Sequence, residues 1–242
     1  MKIGLLGYGR MGKMVEDLLK AEGKDEVVLA IHEENAATLT EADLLQPEVV
    51  IDFSLPAAAN RFIPFFLKNN IPVVSGTTGW GEGELDHIKA LSLKNGSAFL
   101  HAPNFSIGVN IFFAMNKKLA TIMERQSQYD ISIDETHHIH KKDAPSGTAI
   151  HLADQVIERI SRKQEWINKP SDDAKDLVIL SHREDEVPGT HIVQYTSNID
   201  NITLTHEAKS REGFARGAIE AAHWISGKKG IFSMEDVLGL KD

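Results

Sequence analysis

The chain has 242 residues, of which 42% are hydrophobic and 25% charged, the balance of an ordinary globular protein of one or two domains. Lys and Arg total 26 against 35 Asp and Glu, a net charge of −9; such a surface repels a phosphate backbone, which argues against nucleic acid as a partner. Cysteine is absent, which excludes disulfides, thiolate metal sites, Fe–S clusters and a cysteine nucleophile together.

No apolar run is long enough for a bilayer, and the N-terminus does not read as a signal peptide, so a cytoplasmic protein that makes no membrane contact is expected. Lys2–Leu6 is a short apolar strand that ends in Gly-Tyr-Gly-Arg-Met-Gly. Met11, Met14, Val15, Leu18 and Leu19 then share one helical face, with Gly23 as the stop. Val27–Ile31, Val49–Phe53, Pro72–Ser75 and Ala98–His101 read as further strands. Between them, Asn60–Asn69 and Gly83–Leu93 read as helices, the first kinked or shifted by Pro64. Strands alternating with helices imply a parallel sheet covered on both faces.

After Pro103 the pattern changes. Val109–Arg125 is a long helix, and Tyr129–Asp134 alternates strictly, with Tyr129, Ile131 and Ile133 on one side. Ala149–Ile160 is amphipathic, and Ser161–Asp176 reads as a polar surface loop. Leu177–Ser181, His191–Tyr195 and Ile202–His206 are strands separated by turns, which suggests a mostly antiparallel sheet. Phe214–Ile225 reads as the final helix. The fold class expected is α/β, a Rossmann-type parallel sheet domain plus a second, α+β domain with a mostly antiparallel sheet.

Three features carry chemistry. The first is Gly7-Tyr8-Gly9-Arg10-Met11-Gly12, a G-x-G-x-x-G turn that follows a strand and opens a helix. Gly7 permits the tight turn, Gly9 lets a pyrophosphate approach the backbone, and Gly12 lets helix and strand pack closely. The helix N-terminus then offers free N–H groups to the phosphates. The acid that such turns expect on the ribose falls at Glu33 or Glu34, and Glu33 ends the strand more naturally. No Lys or Arg lies between Lys24 and Arg61 to take a 2′-phosphate, so NADH is favoured over NADPH. The second feature is a pair of loops at strand ends, Ser75–Gly79 and His101–Ser106, suited to close approach by a nicotinamide ribose.

The third is Glu135–Asp143, where His137, His138, His140, Lys141 and Lys142 crowd together. A metal site, a solvated loop and acid–base chemistry compete as readings. Neighbouring His137 and His138 would point to opposite sides of a continuing strand, which disfavours a shared ion, and no metal is expected. Acid–base chemistry is preferred because histidine titrates near neutrality beside a cationic lysine. Ser146 or Thr148 can cap the helix that follows, leaving the Gly147 and Thr148 N–H groups ready for a carboxylate. A small anionic substrate is the expected partner.

Together these residues resemble the dihydrodipicolinate reductase family of lysine and diaminopimelate biosynthesis. The resemblance rests on Gly7–Gly12, Ile51–Ser54, Gly76–Gly79, Asn104–Asn110 and, above all, His-His-x-His-Lys-x-Asp-x-Pro-Ser-Gly-Thr at 137–148. It implies a nucleotide domain over residues 1–105, to which 211–242 returns, and a substrate and oligomerisation domain over 106–210. It implies hydride transfer from NADH, with NADPH possible, to an unsaturated dicarboxylate heterocycle, in a homotetramer. His137 then resembles the general acid/base and Lys141 the proton donor, while His138, Gly147 and Thr148 resemble carboxylate contacts. The resemblance places Gly7, Tyr8, Gly9, Arg10, Met11, Gly12, Glu33, Gly76, Thr77, Thr78, Ala102, Pro103, Asn104 and Phe105 around the cofactor. A different dehydrogenase, or a regulator that senses the nucleotide, would share the glycine turn without needing 135–148.

Overall fold

A computed structural model describes residues 1–241. The chain divides into two compact units: Met1–Ile107 joined by the stretch from Glu212 onward, and Gly108–Arg211.

The first unit is built on β1 (Lys2–Leu6), β2 (Glu26–Ile31), β3 (Val49–Asp52), β4 (Val73–Ser75), β5 (Ala98–His101) and β11 (Gly230–Phe232). All pair in parallel, in the order β11-β5-β4-β3-β1-β2. The parallel sheet read from the strand–helix alternation is therefore present. In β3 and β4 every side chain is buried, as expected of strands covered on both faces. The covering helices of this unit are α1 (Arg10–Glu22), α3 (Pro56–Lys68), α4 (Glu84–Asn95) and α7 (Glu212–Ile225). Gly23 ends α1 in the left-handed region at φ 66°, where glycine carries no steric cost.

Several local expectations need correction. Helix α3 starts at Pro56, four residues before the expected Asn60, because proline suits the first helical position, where its missing N–H is no loss. Pro64 lies inside the helix without ending it. Its lost hydrogen bond costs about 3 kcal/mol, and burial of Ala59, Phe62, Ile63, Phe66 and Leu67 offsets that. Phe214–Ile225 is not the last element, since β11 and the short α8 (Met234–Val237) follow it. A short helix, α2 (Glu41–Leu44), opened by a Thr40–Asp43 capping box, also lies between β2 and β3.

The second unit holds β6 (Asp130–His137), β7 (Glu165–Ile167), β8 (Asp176–Arg183), β9 (Thr190–Thr196) and β10 (Asn201–Glu207), with α5 (Ile107–Met123) and α6 (Gly147–Ile157). Strand order is β10-β9-β6-β8-β7. The expectation of a mostly antiparallel sheet gives way to a mixed one. β9 pairs antiparallel with β6 and β10, but β6·β8 and β8·β7 are parallel. The chain between β6 and β8 contains α6, the kind of crossover that parallel neighbours require. β7 also lies inside the supposed surface loop Ser161–Asp176. That segment is anchored by a buried Lys163, whose Nζ donates to the Asp176 carbonyl at 2.6 Å and pairs with Asp130 at 2.7 Å. The core of this unit packs Ile131, Ile133, Leu152, Val156, Leu177, Ile179, Val193 and Tyr195.

Candidate functional site

In the nucleotide unit, the expected cofactor residues gather at the carboxyl ends of β1, β2, β4 and β5. Strand order reverses between β1 and β3, and ligands of open α/β sheets bind in the crevice at such a switch point. Gly7 sits at φ 90°, and a Cβ there would lie 2.6 Å from the Phe53 carbonyl oxygen. A Cβ on Gly12 would lie 2.3 Å from the Gly7 carbonyl oxygen, so this glycine is required by helix–turn packing. Gly9 has nothing within 4 Å of a Cβ position; it is the N-cap of α1 and carries no side-chain cap. An open backbone at a helix N-terminus without its own cap is what a pyrophosphate needs, so the turn fits a dinucleotide. Tyr8 is tied to Glu16 on α1 by a short hydrogen bond.

Behind these loops lies a residue to which no role was assigned from sequence. Asp52, at the end of β3, is fully buried. Oδ1 accepts from the Ser54 N–H at 2.9 Å and its hydroxyl at 2.6 Å; Oδ2 accepts from Ser75 at 2.6 Å and Thr77 at 2.8 Å. Burial pushes its carboxyl above the usual range, against the pull of these donors. The Thr77 carbonyl in turn accepts from Trp80 Nε1 at 2.8 Å and lies 3.0 Å from His101 Nε2. The Thr77 side chain is thus structural, and what the loop offers a ligand is its backbone and the exposed Thr78. Phe105 is likewise a core residue, 1% exposed and edge-on to Phe53 at 5.7 Å. Ala102 is buried, whereas Pro103 is exposed and Asn104 half-buried, with Oδ1 accepting from the Ser106 N–H.

Glu33 is exposed in the turn that follows β2, and His32 lies 3.9 Å from Glu34. The structure corrects one step of the sequence argument. Arg61, remote in sequence, donates from Nη2 to the Ala36 carbonyl at 3.0 Å, so a cation does reach this loop.

In the second unit, the residues read from 137–148 lie along the connection from β6 to α6. Strand β6 runs three residues further than the alternation Tyr129–Asp134 suggested, and the buried face continues as Ile131, Ile133, Glu135, His137. Glu135 is completely buried. Its carboxylate accepts from the Ser146 N–H at 3.0 Å and the Ser181 hydroxyl at 2.8 Å, and lies 3.5 Å from Arg183. Burial alone would raise its carboxyl, but these donors and His137 hold it below the ordinary value. His137 Nδ1 lies 3.5 Å from Glu135 Oε2. Burial lowers the His137 imidazole, as do Lys141 and Arg183, while Glu135 opposes them.

His191 on β9 completes the cluster. No local motif marks it; it arrives through antiparallel pairing with Glu135. Its Nε2 is 3.2 Å from the Ser146 hydroxyl and 3.7 Å from Glu135 Oε2. Burial, reinforced by His137, pushes it down to about 3. The ligand atoms of Glu135, His137 and His191 lie within 4.8 Å of one another, a grouping that could hold an ion. The carboxylate, however, already accepts from two donors and faces a guanidinium, so a hydrogen-bonded cluster accounts for the arrangement better.

Lys141, half-buried, pairs with Asp143 at 2.8 Å. Arg183 fastens this loop by its main chain, donating to the Lys141 carbonyl at 3.3 Å and to the Asp143 carbonyl at 2.5 Å. Ser146, rather than Thr148, is the N-cap of α6, and its hydroxyl accepts from the Ala149 N–H at 3.2 Å. Gly147 and Thr148 therefore occupy the first two helical positions, whose N–H groups have no partner within the helix.

Two family models divide the chain between them. Residues 1–105 match the N-terminal model of dihydrodipicolinate reductase and 108–238 match its C-terminal model. The chain belongs to the dihydrodipicolinate reductase family. A curated 4-hydroxy-tetrahydrodipicolinate reductase from Christiangramia forsetii is 46% identical over 240 residues, covering 98% of each chain. Another from Desulfotalea psychrophila is 34% identical over 262 aligned positions, covering 97% of this chain and 96% of its own. Among solved structures, a dipicolinate-bound dihydrodipicolinate reductase from Paenisporosarcina sp. TG-14 superposes with a TM-score of 0.75 at 23% identity. It covers 96% of this chain and 97% of its own, and supports the fold. As a member of the dihydrodipicolinate reductase family, the chain is an oxidoreductase that takes its hydride from a pyridine nucleotide. No described helix is long and apolar enough to cross a membrane.

Proposed function

We propose that this reductase converts 4-hydroxy-tetrahydrodipicolinate to tetrahydrodipicolinate for diaminopimelate and lysine synthesis, with His137 and Lys141 managing the protons. The observation that carries the reading is the β6–α6 connection. It sets an imidazole backed by a carboxylate, a lysine and a capped helix N-terminus within twelve residues. A dicarboxylate substrate needs donors at both ends, and dipicolinate in the Paenisporosarcina relative is such a dicarboxylate. The N–H groups of Gly147 and Thr148, with His138, receive one carboxylate. Lys141 exchanges its Asp143 partner for the substrate and stabilises charge that develops on the ring. His137, kept mostly neutral by burial, exchanges the proton.

The nucleotide supplies a hydride when bound. Gly7–Gly12 hold its pyrophosphate, Glu33 its adenosine ribose, and the backbones of Gly76–Thr78 and Ala102–Phe105 its nicotinamide half. NADH is the preferred donor, because Glu33 and Glu34 both lie in the exposed turn where a 2′-phosphate would sit. Arg61 near Ala36 leaves NADPH usable as the second choice. The reductase works in the cytoplasm as a homotetramer.

The test is turnover of His137→Ala and Lys141→Ala. Each loses about 10²-fold or more in kcat while nucleotide affinity stays at the wild-type value. Full turnover by Lys141→Ala would refute its role as proton donor.

A further inference from the structure

We infer that Glu135 is a positioning residue for this reaction: its buried carboxylate fixes the His137 proton on Nδ1 and ties that ring to the N-terminus of α6. The inference rests on the reading above, in which His137 transfers protons at the substrate.

A strand whose buried face reads Ile131, Ile133 would gain most by continuing with apolar residues; β6 continues instead with Glu135 and His137. A buried carboxylate is costly unless fully partnered, so its partners define what it holds in place. Oε1 serves the scaffold: it takes Ser181 on β8 at 2.8 Å, the Ser146 N–H at 3.0 Å, and faces Arg183 at 3.5 Å. Oε2 shares the Ser146 N–H at 3.1 Å and otherwise faces His137 Nδ1 at 3.5 Å and His191 Nε2 at 3.7 Å.

His137 Nδ1 is buried and makes no hydrogen bond in the free protein. A buried N–H needs an acceptor, and Glu135 Oε2 stands in front of it. Catalytic hydrogen bonds are often long in the free enzyme and tighten when substrate binds. The other side of the ring is fixed by Gly189. A Cβ at Gly189 would lie 3.1 Å from His137 Nε2, and its φ of 153° also favours glycine. With the proton on Nδ1, the neutral ring keeps its lone pair on Nε2 for exchange with substrate.

The same carboxylate holds Ser146, the residue immediately before Gly147 and Thr148. One side chain therefore sets both the tautomer of the proton-transferring ring and the position of the N–H groups proposed to receive the substrate carboxylate. The charged and titratable groups facing His137 are Glu135 on its own strand, Lys141 and Asp143 on the loop, Arg183 on β8 and His191 on β9.

Glu135→Gln separates positioning from scaffolding. Glutamine keeps the volume and an oxygen for Ser146 and Ser181, but turns an NH2 donor toward His137 Nδ1. Nitrogen–proton correlation spectra of the His-labelled chain read the tautomer without turnover: wild type is expected to carry the neutral His137 proton on Nδ1, and Glu135→Gln on Nε2. A misplaced tautomer in a catalytic histidine is known to be severe, so kcat is expected to fall about 10²-fold or more. Loss of the neighbouring negative charge also moves the acidic limb of kcat/KM to lower pH. Glu135→Asp, which keeps the charge, is expected to hold that limb in place and recover part of the turnover. An unchanged tautomer and limb in Glu135→Gln would overturn the inference, including the case where activity falls only in step with thermal stability. If the wild type shows the Nδ1 tautomer yet has no reductase activity, the proposed reaction fails while the Glu135–His137 geometry stands.

Discussion

Replacing His191 with glutamine should flatten the acid dependence of stability in the second unit by an amount fixed by one proton. His191 is 5% exposed, and its imidazole is pushed down to about 3, first by burial and then by His137. In the unfolded chain it titrates near 6.5. The folded value lies below the unfolded one, so this stabilisation is complete above about pH 6.5 and is lost as pH falls toward 3. Within that window the unfolded state gains a proton that the folded state refuses, a slope of about 1.4 kcal/mol per pH unit. Between about pH 8 and about pH 5 the integrated loss is about 2 kcal/mol. Glutamine does not titrate and retains an amide near Ser146, so His191→Gln carries a pH-independent offset of about 1 kcal/mol from the altered hydrogen bond. Hydrogen exchange of the β6 and β9 amides reads opening of this unit alone. The wild-type minus variant difference should shrink by about 2 kcal/mol over that range. A difference that stays constant from about pH 8 to about pH 5 would refute a neutral, buried His191.

The glycine turn predicts two contrasting variants. Gly12→Ala drives a Cβ to 2.3 Å from the Gly7 carbonyl oxygen, so it should lower stability by about 1–3 kcal/mol in thermal melts and lose nucleotide binding with it. Gly9→Ala meets nothing within 4 Å, so its melting temperature should match wild type while NADH affinity, read by fluorescence titration, falls. Asp52→Ala leaves the Ser75 hydroxyl and the Ser54 N–H without their acceptor, while the Thr77 and Ser54 hydroxyls keep the Ser54 and Leu55 carbonyls; it should cost about 1–3 kcal/mol for each group left without a partner and raise KM for the nucleotide more than it lowers kcat.

What the sequence disclosed and what it concealed follow from the range of each interaction. The glycine turn, the stop at Gly23 and the Ser146 cap are local, because each works within a few residues of itself, and all three are visible in the chain. The parallel sheet was also legible, through strands and helices in alternation. The mixed pairing of the second sheet was not, because β8 lies beside β6 only through a crossover whose direction leaves no mark in Leu177–Ser181. β7 is three residues long and half-buried, too short for any periodicity.

In the site, Glu135 is marked by the period of its own strand. Extending the alternation Tyr129–Asp134 by three residues puts Glu135 and His137 on the apolar face, and a carboxylate there demands an explanation. His191 and Arg183 carry no such mark, since they reach the cluster by strand pairing across more than forty residues. Arg61 shows the same limit in the other unit. Distance along the chain suggested that no cation was near the loop after β2, yet α3 brings its guanidinium to the Ala36 carbonyl.

The most direct measurement is a coupled assay. The substrate is generated by its synthase from pyruvate and aspartate semialdehyde, and loss of nicotinamide absorbance is followed with NADH and with NADPH separately. The account predicts turnover with both and a larger kcat/KM with NADH. A folded chain that binds NADH yet consumes neither nucleotide in the presence of that substrate would contradict it.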